Sequence, residues 1–167
     1  MTRTNRLIVA GLLSALAIAL SVLEGLLPPL PIPGAKLGLA NITVMFALQA
    51  VSVPCAGGIV LVKTAFALFR GPIACLMSAV GGILSLIAMG IARRLWRDKL
   101  SFVGVGVIGA LAHNIGQWCV AYVLLGSAMV YYAPILLLLA IPAGLITGLV
   151  LNMVYPYLQK TPFFRKG

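Results

Sequence analysis

From Phe102 to Gly126 the chain carries no charged side chain, yet His113, Asn114 and Gln117 stand at the middle of the run. An apolar run of this length can cross a bilayer as a helix, which takes about 20 residues. At helical spacing His113 and Gln117 lie one turn apart, and Asn114 falls within the same arc. Lipid offers such groups no hydrogen-bonding partner, so they must pair inside a bundle or face a wet cavity. The stretch reads as the wall of a site at membrane depth.

The composition fits that reading. Of 167 residues, 62% are hydrophobic and 8% are charged, and the mean hydropathy is +1.15. Soluble domains carry about 25% charged residues, so this chain has too little polar surface to cover a globule in water. The expected fold class is an all-α integral membrane protein. The net charge of +10 does not argue for nucleic acid. Most of the basic residues sit at the ends of apolar runs, where cytoplasmic loops carry them and anionic lipid attracts them. Cys55, Cys75 and Cys119 form no CxxC or Cys/His pattern and read as small apolar packing residues. A single histidine and two separated acids exclude a multi-histidine or carboxylate-rich metal site. His113 also has no acid near it in sequence to complete a nucleophilic triad. The expectation is a protein without catalysis, metal or bound cofactor.

The basic start, Met1 to Arg6, leads into an apolar run that reaches Leu26. That length suits a retained first helix better than a cleaved signal peptide. Along it, Ala10 with Ser14, Gly11 with Ala15, and Ala15 with Ala19 repeat small residues at four-residue spacing. Such a face either packs within the bundle or serves as a docking face for another subunit. Pro28, Pro29, Pro31 and Pro33 forbid helix and predict a stiff, extended loop, either a lid over a site or a plain connector. Segments from Leu37 to Ser52 and from Pro54 to Phe69 are short for spans. Merging them would place the later basic clusters outside, against the positive-inside bias. The sequence therefore predicts six spans with both termini cytoplasmic: one domain over residues 1–160, and a basic tail over 161–167. The fourth segment, Pro72 to Ala92, carries Ser78, Gly81, Gly82 and Ser85 on one face, and the sixth runs from about Val130 to Leu158.

Lys63 interrupts the third segment near its centre, and Arg70 follows two turns later on the same face. A lysine at bilayer depth costs at least about 2.5 kcal/mol, so it needs a reason to be there. The run Gly57 to Thr64 is not a phosphate loop of the nucleotide-hydrolysing kind, because Val62 stands where glycine should precede the lysine. On the six-span topology Glu24, Lys36 and Arg70 gather near the outer surface. Asn41, Lys63, His113, Asn114 and Gln117 extend toward the middle. Lysine and arginine hold phosphate or carboxylate, and amides read ring edges. The set suits a small anionic molecule entering from outside or leaving toward it. The alternative is a structural network, with Glu24 paired to Lys36 or Arg70 and His113 to Asn114 or a backbone carbonyl.

The stretches Leu30 to Asn41, Arg70-Gly71, Ser78 to Ser85 and Gly109 to Gln117 resemble the family labelled both Gx transporter and heptaprenyl diphosphate synthase component I. That family is similar in turn to the substrate-binding subunits of energy-coupling-factor vitamin transporters, which have six membrane helices. The resemblance implies flavin translocation (FMN, FAD or riboflavin), in a bacterial cytoplasmic membrane, beside an energising module or flavin-dependent redox proteins. It carries over to Lys36, Asn41, Arg70, His113, Asn114 and Gln117, while Glu24 and Lys63 are added on physical grounds. The synthase label implies at most a non-catalytic partner, since allylic diphosphate chemistry needs clustered aspartates for magnesium and the chain has only Asp98.

Overall fold

The computed structural model describes residues 3–26, 36, 38–96 and 99–161. The proline-rich loop over 28–35, Asp98 and the basic tail over 162–167 lie outside the described residues. Among the described residues, six α-helices run in order: α1 Arg3–Gly25, α2 Asn41–Ala50, α3 Val53–Ala67, α4 Pro72–Trp96, α5 Phe102–Leu125 and α6 Ala133–Gln159. Short 3-10 turns, Leu68–Arg70 and Ser127–Tyr132, end α3 and precede α6. No strand occurs among the described residues. Five of the helical stretches are long and apolar enough to cross a membrane; α2 is not. The chain is a multi-pass membrane protein.

Local chemistry explains the boundaries. The Ser52 hydroxyl caps α3 by accepting from the Cys55 amide at 3.3 Å, and Ser101 caps α5 by accepting from Gly104 at 3.2 Å. The break at Val51 and Ser52 separates α2 from α3, two helices rather than one, as the charge distribution predicts. The second segment, however, becomes helical only at Asn41, with residues 38–40 outside the helix. Gly38 takes φ +90°, a conformation glycine adopts freely and other residues rarely do. The Lys36 and Gly38 amides donate to side chains of α5 and α1, while the Gly38 carbonyl accepts from the Asn41 amide at 2.8 Å. At ten residues, α2 is about 15 Å long, half the roughly 30 Å hydrocarbon core.

The closest packing joins α4, α5 and α6. A methyl group added at Gly106 would come within 2.5 Å of the Gly144 carbonyl oxygen, and one at Gly116 within 2.7 Å of the Gly81 Cα. These small residues let backbones touch, the way helices associate where lipid offers no hydrophobic drive. The small face predicted on the fourth segment is this contact surface: Gly81, Gly82 and Ser85 are buried against α5 and α3. On α1 the buried residues are Val9, Ala17, Ser21 and Glu24, whereas Ala15 and Ala19 face outward. Ala15 and Ala19 are thus not spent on packing within the bundle, while Ala10 and Ser14 are half-buried.

Candidate functional site

The end of α1, the start of α2 and the end of α3 meet around Lys36. Its backbone N–H donates to Gln117 Oε1 at 3.0 Å. Gln117 Nε2 lies 2.7 Å from His113 Nε2. An amide nitrogen only donates, so His113 Nε2 accepts, and the ring proton sits on Nδ1 facing Gly81. The Lys36 ammonium donates to the Ser21 carbonyl oxygen of α1. Glu24 Oε1 accepts from the Gly38 amide, and at 3.4 Å from that of Leu39. These side chains satisfy the non-helical backbone of Lys36, Gly38 and Leu39 inside the protein. α2 then starts at mid-bundle, its first residue Asn41 accepting from Lys63 of α3 through Oδ1.

Around these bonds lies a cavity of about 20 Å³ faced by Glu24, Lys36, Lys63, Arg70, His113 and Gln117, with Ser21, Gly38, Phe66 and Ser78 also on its wall. It has room for one water molecule. Lys63 and His113, from different helices, are almost fully buried and face this same space. Three cations therefore share the cavity with one carboxylate. That carboxylate is engaged by backbone amides, and among the described residues no ion pair joins it to Lys36, Lys63 or Arg70. The two lysines rest on neutral oxygens of Ser21 and Asn41. Burial pushes the Lys36 ammonium below the usual lysine range, the Arg70 charge pushes the same way, and Glu24 opposes both. Below this cavity a smaller one of about 10 Å³ touches Gly38, Asn41, Gly109 and Thr147. Among the described residues, the buried Asn41 Nδ2 has no hydrogen-bond partner. Electrostatically, the site favours an anion.

Of the residues read from the sequence, Glu24, Lys36, Asn41, Lys63, Arg70, His113 and Gln117 come together here. Asn114 does not join them: its Nδ2 donates to the Leu136 carbonyl of α6 at 2.7 Å, tying α5 to α6. The network expected between Glu24 and a cation is replaced by bonds to backbone N–H groups. Sequence reasoning missed Ser21, Gly38 and Ser78. Ser21 acts through its carbonyl, which every residue has, and no local pattern marks Gly38 or Ser78 as part of the wall.

A family model described as heptaprenyl diphosphate synthase component I matches residues 13–154. The chain belongs to that family. No curated protein and no solved structure matches this component I chain. The matched region takes in every residue of the cavity wall.

Proposed function

We propose that this component I chain is a non-catalytic protein of a bacterial cytoplasmic membrane that binds a small anionic molecule among Lys36, Lys63 and Arg70 and passes it across the bilayer. The observation that supports this is the convergence of three cations on one cavity whose single carboxylate is engaged by backbone amides. An arriving anion replaces the neutral oxygens of Ser21 and Asn41 as the partner of the two lysines. The excess of cations over acid suits a phosphate or diphosphate group better than a monocarboxylate. Of the candidates, flavin mononucleotide uses the whole set: its phosphate takes the cations, and its ring edges take Asn41, His113 and Gln117. A ring system exceeds the present cavity, so binding requires the 36–40 segment to withdraw from α1 and α5. In this reading α2 and the segment before it make up one crossing, six crossings place both termini on the cytoplasmic side, and the Ala15–Ala19 face of α1 receives an energising subunit.

The test is ligand retention. Protein purified in mild detergent is expected to carry flavin absorbance or to take up added flavin mononucleotide. Lys63→Ala should weaken that binding at least tenfold, since removing one partner of a buried charge pair costs about 2–5 kcal/mol. Unchanged affinity in a folded Lys63→Ala protein sinks the proposal.

Family membership favours a second reading, a non-catalytic membrane partner of a polyprenyl diphosphate synthase. A diphosphate would suit the same cations. Co-purification with a prenyl synthase, together with binding of a prenyl diphosphate and no flavin, selects it.

A further inference from the structure

A second feature lies at the opposite end of the bundle from the cations. Leu48 at the end of α2, Val53 at the start of α3, and Leu86, Ile87 and Ile91 on α4 wall an apolar groove of about 670 Å³. Arg93 and Arg94 stand at its end. The groove opens outward: Val53 is 59% exposed, and Ile87 and Ile91 are 52% exposed. Gly90 is its floor, and a Cβ built there meets nothing within 4 Å. Arg93 donates to the Leu48 carbonyl oxygen and, at 3.4 Å, to that of Gln49. These are helix-end carbonyls of α2 that would otherwise lack partners. Among the described residues, the Arg94 side chain makes no hydrogen bond or ion pair. Among the described residues, no acid lines the groove.

We propose that this groove is a binding site for one anionic phospholipid, with an acyl chain along Val53, Leu86, Ile87 and Gly90 and the headgroup phosphate on Arg93 and Arg94. Charge complementarity selects the occupant. The apolar walls run lengthwise along α4 and end in two guanidiniums, the order of tail and head in a membrane lipid. Guanidinium forks bind phosphate oxygens in pairs, and basic residues at a membrane surface attract anionic lipid. A zwitterionic headgroup gains less, because its own ammonium opposes the arginines. The lipid would also touch Leu48, so it would brace the end of α2 that Arg93 holds. The inference is independent of the proposed ligand site, which lies at the far end of α2.

The test uses the full chain in detergent, with native mass spectrometry after addition of phosphatidylglycerol or phosphatidylcholine of identical chains. Wild type should retain one phosphatidylglycerol at several-fold lower concentration than phosphatidylcholine. Arg94→Gln should cut that preference about fivefold, the worth of one basic residue at an anionic surface. Gly90→Leu should abolish retention with helix content unchanged, because its side chain enters open groove and not packed protein. Flavin mononucleotide affinity should stay the same in both variants, which separates a failure here from a failure at the other site. Equal retention of the two lipids, undiminished retention by Gly90→Leu, or displacement of phosphatidylglycerol by an equimolar polyprenyl diphosphate would each overturn the assignment.

Discussion

At the scale of the residue, Lys63 poses the sharpest question, because a buried ammonium is costly to fold around. If it serves a ligand, removing it should separate stability from binding. Lys63→Met is expected to melt at the same or a higher temperature than wild type while losing the anion, as read by thermal unfolding alongside ligand titration. Lys36 gives the pH dependence. Burial and Arg70 lower its proton affinity, so its charge is lost as pH rises at values below the ordinary lysine range of about 10.4. Loss of a positive charge weakens an anion. Affinity should therefore fall with rising pH before an ordinary lysine would titrate, and Lys36→Arg, which stays protonated, should carry binding to higher pH. Lys63, His113 and Gln117 were legible in the sequence because a strong polar group in an apolar run has to be accounted for. Asn114 has the same chemistry but faces α6, and helical spacing does not tell which neighbour an arc meets.

At the scale of the element, the glycines divide into two kinds that sequence alone does not separate. Gly106 lies against the backbone of α6, whereas Gly90 faces open space. Gly106→Val should destabilise by several kcal/mol or prevent assembly, since overpacking costs about 1–3 kcal/mol even where side chains can yield, and here the obstacle is main chain. Gly90→Val should leave the unfolding temperature within a few degrees of wild type. The helices themselves were readable from their apolar runs and breaks, including the interruption near Ser52. The late start of α2 was not. Its cause is long-range: Glu24 and Gln117 take up the backbone N–H groups of Gly38 and Lys36, and no local pattern announces partners that lie on other helices.

At the scale of the whole molecule, the two ends are chemically unlike. Glu24, Lys36 and Arg70 gather at one, while Arg93 and Arg94 mark the other, where Phe46, Phe102 and Tyr155 pack together with ring centroids 4.8 to 6.1 Å apart. If the chain crosses six times, single cysteines placed at Thr4 and Thr161, in a background lacking the three native ones, should react with an impermeant thiol reagent from the same side of the membrane. Reaction from opposite sides would favour five crossings and an α2 that does not count as one. The glycine contacts among α4, α5 and α6 bear on how any guest could get in. With main chains already touching, those helices have no slack and must behave as a fixed jaw. Lys36, Lys63 and Glu24 belong to the opposing jaw, formed by α1, α3 and the chain leading into α2. On the proposed function, the seam between the two jaws is where the molecule would part.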